Sequence, residues 1–307
     1  FATGESGGFW APELRFAGFD GIVITGKSPK PVYLWIKDGK YELRDASGVW
    51  GKITGEAQDA IRAELGDDKV RVALIGPSGE KLVRFAAIVN ELKHFNGRSG
   101  VGAVMGSKNL KAIAVRGTRK PEFHDLDRLT ELGKLGAKRV AENDGAAGWK
   151  KYGTTLNVSW NTDIGGLPTK NWTMGQFPGV EKITAEAYHD DWMDKPGTCW
   201  ACAQACKRDI KEGIEKPWKV ETRYGGPEYE TLGMLGPNCM VGDMNAIAKA
   251  NEIASKYCVD SIALGGVIGF VMECFEKGIL SAKDTGGVQA RFGNGEDLVK
   301  LCELVAT

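Results

Sequence analysis

Val32-Tyr33-Leu34-Trp35-Ile36-Lys37-Asp38-Gly39-Lys40-Tyr41-Glu42-Leu43-Arg44 sets the character of the first third of the chain. Two runs with apolar, β-branched and aromatic residues flank Asp38-Gly39, a dipeptide that tolerates the positive φ angles of a two-residue hairpin turn. Outward from this hairpin, residues 20–24 (Asp-Gly-Ile-Val-Ile) predict a short buried strand. Residues 70–75 and 82–89 predict two further strands, separated by the turn Gly76-Pro77-Ser78-Gly79. Residues 110–115 predict a last strand before a polar, basic break at 117–120. Within this β-rich region, Ala57, Ala60, Ile61, Ala63 and Leu65 recur at helical spacing and Gly66 follows as a stop, so residues 56–65 predict one amphipathic helix.

The pattern changes near residue 120. Leu129, Leu132, Leu135 and Val140 lie at helical spacing within residues 126–141; Asp243 can cap a helix through Ala254; residues 260–276 and 296–305 predict two more. Residues 143–178, rich in Gly, Thr, Asn and Trp, predict a long irregular stretch of the kind that often carries function. The expected class is α+β: a β-rich domain over residues 1–120, then a mostly helical domain over 121–307.

A length of 307 residues accommodates roughly two domains, and 42% hydrophobic with 26% charged residues predicts packed cores. Forty basic residues balance forty acidic ones, which gives no electrostatic argument for nucleic acid or an anionic membrane as partner. The longest apolar stretch, 262–274, contains three glycines and is too short to span a bilayer. The first residues lack a signal pattern and a Met, so the sequence reads as a cytoplasmic protein and as a piece of a longer one.

Cys199-Trp200-Ala201-Cys202-Ala203-Gln204-Ala205-Cys206 spaces three thiols as C-x2-C-x3-C. Thiolate is the donor that selects iron–sulfur clusters or zinc. A structural zinc site usually shows two paired knuckles, and no second C-x2-C or His pair lies nearby. The spacing is also the reverse of the radical-SAM order. Seven cysteines in a chain of this length do not make a disulfide framework. A cluster would move electrons; zinc would make the loop a structural staple.

Gly97-Arg98-Ser99-Gly100-Val101-Gly102-Ala103-Val104-Met105-Gly106-Ser107-Lys108 is the second informative run. Its glycines permit close backbone approach, and Arg98, Lys108 and Lys111 add positive charge, so it reads either as an anion-binding loop or as a tight structural turn. It matches neither the dinucleotide fingerprint nor a Walker A loop. Ser6-Gly7-Gly8 alone reads as a turn. In Gly226-Pro227-Glu228-Tyr229-Glu230-Thr231 the two carboxylates alternate, so one of them is expected to face a given site as a general acid or base. The solvated turn is the alternative.

Taken together these runs resemble the tungsten-containing aldehyde:ferredoxin oxidoreductase family along essentially the whole chain. The resemblance rests on Ser6-Gly7-Gly8, Pro12-Glu13-Leu14, Gly97 through Ile113, Tyr152-Gly153-Thr154, Leu167-Pro168-Thr169-Lys170-Asn171, the three cysteines, Gly226 through Thr231, Gly236-Pro237-Asn238 and Cys258 through Ile262. It implies a tungsten–bispterin centre (tungstopterin) whose pterin phosphates are bridged by Mg2+, beside a [4Fe-4S] cluster. By this resemblance Cys199, Cys202 and Cys206 are cluster ligands. Arg98, Ser99, Gly100, Glu5, Gly7 and Asp260 contact pterin, although the family often has Asn at the position of Glu5. Of the family's Asp-x-x-Gly-Leu-Asp motif only Asp260 is present, at the end of residues 255–260. Glu228, with Glu230 beside it, carries the active-site carboxylate. The implied reaction oxidises a small aldehyde to a carboxylate and passes electrons to ferredoxin, in a homo-oligomer or a redox-subunit complex. The resemblance also implies that the fourth cluster ligand lies in a C-terminal half beyond residue 307. The tungsten subunit of an aryl-CoA-reducing complex is the alternative within the family, and a zinc-stapled, non-catalytic binding protein the alternative outside it.

Overall fold

The computed structural model describes residues 2–307, in two compact units. The first comprises the chain to Arg139 together with Cys199–Ala203 and Ser255–Asp260; the second comprises Val140–Thr198, Gln204–Ala254 and Ser261–Thr307. Helices α1 (Trp10–Phe16), α2 (Thr54–Leu65), α3 (Pro77–Glu80) and α4 (Val101–Ser107) surround a mixed sheet of β1 (Val32–Lys37), β2 (Lys40–Asp45), β3 (Arg71–Leu74), β4 (Ile88–Asn90), β5 (His94–Asn96) and β6 (Leu110–Arg116). The strand order is β2-β1-β6-β3-β4-β5.

The β1–β2 hairpin forms as its turn chemistry requires. Lys37 pairs with Lys40 across Asp38 and Gly39, whose φ angles are 46° and 87°. β6 runs parallel to β1 and antiparallel to β3, and its alternation loads both faces. Ala112 and Ala114 join Tyr33, Val72, Leu74 and Val89 in one core with Ala57 and Ile61 of α2. Val115 joins Leu34, Ile36 and Ile75 in another, under Leu14 of α1 and Met105 of α4. A strand so covered must be apolar on both faces, as β6 is.

One buried ion pair interrupts this apolar packing. Lys111 of β6 is fully buried and makes a short contact with Glu80 of α3, itself 5% exposed. The ammonium also donates to the Lys52 carbonyl at 3.0 Å, and the second Glu80 oxygen accepts the Gly51 N–H at 2.7 Å. Every strong polar group of the pair thus has a partner in place of water.

Two strand expectations differ from the structure. Residues 20–24 form no strand. Ile22 and Ile24 pack on the α1–α4 face while Val23 is 91% exposed, so the alternation records an extended segment lying on the sheet, without a ladder partner. In 82–89 only the end joins β4, because Leu82 turns left-handed (φ 62°) and the Val83 N–H closes back on the Ser78 carbonyl. The freed segment pairs elsewhere: Ala87 N–H donates to the Cys258 carbonyl at 2.8 Å, Asp260 N–H to the Phe85 carbonyl at 3.0 Å, and Gly102 N–H to the Ala86 carbonyl at 3.0 Å. Residues 84–87 therefore hold the glycine run on one side and residues 258–260 on the other.

Gly106 shows how tight this packing is. A Cβ there would lie 1.9 Å from the Gly79 carbonyl oxygen, a backbone atom that cannot rotate away. Gly106→Ala is expected to cost about 1–3 kcal/mol by forcing α4 off α3. The check is the thermal unfolding midpoint of the intact enzyme, and an unchanged midpoint would show that the α3–α4 contact opens at no cost.

Helix α5 (Leu126–Ala141) follows as its periodicity predicts and buries none of its residues among the described ones. The second unit then carries α6 (Asp144–Tyr152), α7 (Leu156–Asp163), the single turn α8 (Ala185–Ala187), the two-stranded sheet β7 (Met193–Gly197) with β8 (Lys207–Ile210), and α9 (Tyr229–Leu235). The helices α10 (Met244–Tyr257), α11 (Ser261–Glu276) and α12 (Gly295–Ala306) complete it, apart from the last three residues of α10. The expected irregular stretch 143–178 is half helical, because the Asn143 side chain caps α6 by accepting the Ala146 N–H at 2.8 Å. Asp243 caps α10 in the same way, accepting the Asn245 N–H at 2.9 Å. No helix among the described residues is long and apolar enough to cross a membrane.

Candidate functional site

In the first unit, the N-terminal loop, the β4–β5 turn and the first two cysteines come together. Asn90 joins the N-terminal loop to the β4–β5 turn: its side-chain amide donates to Ser6 Oγ at 3.0 Å, to the Gly7 carbonyl at 3.2 Å and to the His94 carbonyl at 3.2 Å. Ser6 Oγ donates to Asn96 Oδ1 at 3.1 Å, and the Asn96 amide donates to the Gly4 carbonyl at 2.9 Å. This ties the loop of Glu5 and Gly7 to the strand leading into Arg98. Glu5 itself is exposed.

The cysteine loop sits on the same turn. Trp200 N–H donates to the Gly8 carbonyl at 3.1 Å. A Cβ at Gly7 would stand 2.4 Å from Cys199 Sγ, so any other residue there would displace the sulfur. Buried His94 places Nδ1 3.8 Å from the same sulfur. Cys202 N–H closes on the Cys199 carbonyl at 3.2 Å, with Ala201 at φ 53°, and Ala205 before Cys206 stands at φ 48°. Left-handed backbone at an alanine costs on the order of 1–2 kcal/mol and persists where surrounding structure requires it.

Arg98, Ser99 and Gly100 lie together as a short turn leading into α4, with Ser99 and Gly100 both left-handed at φ 71° and 69°. Arg98 is largely exposed and places Nε 3.1 Å from Asp260 Oδ2, whose side chain is 6% exposed. The structure thus brings Arg98 and Asp260 together, whereas the sequence separates them by more than half its length. Nothing in the sequence singled out Asn90 or His94, since a lone Asn or His carries no pattern; only the fold gives them neighbours.

The carboxylate region belongs to the second unit. Glu228 is the residue before α9 and is 27% exposed at its side chain; Glu230, in the first turn of α9, is exposed. Thr154 Oγ1 makes a short hydrogen bond to Glu228 Oε2 and accepts the Tyr229 N–H at 3.0 Å. Lys207 Nζ lies 3.3 Å from Glu228 Oε1. Arg208, 3% exposed, donates to the carbonyls of Ala205 (2.9 Å), Lys207 (2.5 Å), Trp149 (2.9 Å) and Lys150 (2.6 Å). It pins the segment after Cys206 to the end of α6. Burial holds this guanidinium below its ordinary value, and the Glu228 charge acts in the opposite direction. Tyr188 is buried beside Gly226, and burial, reinforced by the Glu228 charge, pushes its phenol well above its usual range.

The seven cysteines fall into two groups. Cys239, Cys258 and Cys302 are fully buried and Cys274 nearly so; burial raises the first three thiols, Cys258 to about 12. They behave as small core hydrophobes. Cys199, Cys202 and Cys206 lie outside the cores, Cys202 exposed and the other two half-buried. Among the described residues of either unit, no three His, Cys, Asp or Glu side chains close on a common point. The fit to a metal centre therefore rests on the donor chemistry, three thiols on a loop turned by left-handed residues, which suits a thiolate-ligated cluster. The exposed Arg98 guanidinium beside its left-handed turn suits a phosphate-bearing group.

Residues 1–117 match the model for the aldehyde ferredoxin oxidoreductase N-terminal domain, and residues 131–307 match that for domains 2 and 3 of the same enzymes. The chain is 41% identical over 301 residues to the tungsten-containing aldehyde ferredoxin oxidoreductase of Pyrococcus abyssi, covering 97% of the chain and 49% of that protein. It is 29% identical over 316 residues to the WOR-like subunit of an aliphatic sulfonate oxidoreductase of Pyrococcus furiosus, covering 95% of the chain and 48% of that protein. Among solved structures it resembles the active site complex BamBC of benzoyl coenzyme A reductase in complex with 1,5-dienoyl-CoA. There the TM-score is 0.73 at 26% identity, over 98% of this chain and 46% of that one. The chain spans about half the length of the curated relatives it matches.

Proposed function

The chain belongs to the aldehyde ferredoxin oxidoreductase family, an oxidoreductase family with tungsten-containing members, and from that premise we propose that it forms half of an enzyme oxidising a small aldehyde to its carboxylate. The balanced reaction takes aldehyde and water to carboxylic acid, two protons and two electrons, the electrons passing to ferredoxin. When bound, the tungsten–bispterin centre and the [4Fe-4S] cluster would supply the redox chemistry.

Each part of the chain has a stated task. Residues 1–120 would bind pterin: Arg98 would neutralise phosphate, with Mg2+ as a further counter-charge when bound, while Asp260 fixes the guanidinium at 3.1 Å. Ser99, Gly100, Glu5 and Gly7 would bring backbone and loop close to the same group. Residues 121–307 would carry Cys199, Cys202 and Cys206 as cluster ligands. Glu228 would accept the proton released as water adds to the carbonyl carbon, and the exposed Glu230 would lie toward solvent. The observation that supports this reading is the packing of Gly7 against Cys199 Sγ, which sets the loop proposed to bind pterin against the first of the proposed cluster thiols without an intervening side chain. We propose ferredoxin as electron acceptor, a homo-oligomer or a redox-subunit complex as the assembly, and the cytoplasm as location.

Glu228→Gln tests the proton step. In the intact enzyme loaded with tungsten and iron, kcat should fall about 10^2-fold with KM nearly unchanged. An unaltered kcat would remove Glu228 from the chemistry. Similarity to the benzoyl coenzyme A reductase complex favours a second reading, the tungsten subunit of an aryl-CoA-reducing complex. Turnover of aromatic acyl-CoA thioesters, with none of aldehydes, would select it.

A further inference from the structure

Thr154 sits where two requirements meet. Its hydroxyl has one hydrogen and two lone pairs. The Tyr229 N–H occupies a lone pair at 3.0 Å, and the short contact to Glu228 Oε2 takes the hydrogen. The hydroxyl therefore has a single orientation, set by the first backbone N–H of α9, and it donates to a carboxylate carried by the residue just before that helix. Its backbone is fixed as well. Gly153 adopts φ 67°, and a Cβ there would stand 2.4 Å from the Cys206 carbonyl oxygen. Thr154 thus links the segment after the third cysteine to Glu228.

The other carboxylate oxygen is held differently. Glu228 Oε1 faces Lys207 Nζ at 3.3 Å, a longer contact made by a flexible side chain that is 22% exposed. The two oxygens are not equivalent: one is locked by a short, oriented hydroxyl, the other by an ammonium that can move away.

We propose that Thr154 is a positioning residue for Glu228. It locks Oε2 and so leaves Oε1, the oxygen shared with Lys207, as the atom that exchanges the proton. This rests on Glu228 being the proton acceptor. A carboxylate that loses the lock rotates about its terminal torsion, and a displacement of about 1 Å costs on the order of 10^2 in rate.

The test is a double-mutant cycle in the intact, cofactor-loaded enzyme. Thr154→Val should lower kcat about 10- to 100-fold with KM and metal content unchanged, and Thr154→Ser should restore it. Because Thr154 acts through Glu228, Thr154→Val combined with Glu228→Gln should be no slower than Glu228→Gln alone. A crystal structure of Thr154→Val should show the Glu228 carboxylate turned from its present rotamer, independently of activity. Should the valine variant not fold, Thr154→Ala completes the same cycle. Additive losses, or a normal kcat for Thr154→Val alongside an impaired Glu228→Gln, would overturn the proposal and leave the role of Glu228 standing. A normal kcat for Glu228→Gln would overturn both.

Discussion

Replacing Cys202 by Ser in the intact enzyme, purified without oxygen, is expected to strip the protein of iron and, on the proposed function, to abolish aldehyde oxidation. A hydroxyl is a harder and far weaker ligand for iron than a thiolate, and a four-iron cluster draws on four protein ligands. Cys202 is exposed and contributes to no core, so its loss should leave the fold intact. The internal control is Cys239→Ala, at a thiol that burial has pushed well above its ordinary value. That variant should keep about four iron atoms per chain and its cluster EPR signal, while losing some stability. Iron retained in full by Cys202→Ser would refute the cluster assignment. Stoichiometric zinc without iron in the unmodified protein would make the loop a structural staple.

Glu80→Ala is expected to cost the first unit about 3–5 kcal/mol, because it leaves the Lys111 ammonium buried without its counter-charge. Burial already lowers Lys111 below the ordinary lysine value, with Glu80 the main opposing influence. The folded state therefore holds fewer protons than the unfolded chain between the lowered value and the ordinary one. Stability should rise with pH across that window, and more steeply once Glu80 is gone. Glu80→Leu with Lys111→Met should recover most of the loss, since matched apolar groups need no partner. Thermal unfolding midpoints from neutral to alkaline pH are the check. A Glu80→Ala protein as stable as the parent would mean that water reaches Lys111.

Much of the fold can be read from local chemistry. Asp38-Gly39 closes the hairpin, Gly66 ends α2 in a left-handed C-cap (φ 66°), and α5 has its predicted bounds. These features depend on residues a few positions apart. Residues 20–24 misled because alternation reports which side chains are buried and carries no information about a hydrogen-bonded neighbour. Residues 143–178 misled because Gly, Thr and Asn, abundant in loops, also cap and break short helices; Asn143 does the first and Gly153 the second.

The candidate site divides along the same line. Cys199, Cys202 and Cys206 stood out as candidate ligands through their spacing, whereas Arg98 and Glu228 were singled out by the family resemblance of the runs that contain them. What holds them was not legible. Asp260 reaches Arg98 because residues 84–87 pair with the glycine run on one side and with 258–260 on the other. Asn90 binds Ser6, Gly7 and His94 because β4 and β5 return beneath the N-terminal loop. Thr154 meets Glu228 across 74 residues of sequence.

By itself the sequence determined the donor types, the α+β order of elements and the hairpin register, since these follow from side-chain chemistry and from contacts between near neighbours. Only the tertiary structure decided which Asn, Asp and Thr serve those donors. A hydrogen bond between distant residues needs only one polar atom from each, a demand too small to leave a pattern in the chain around either.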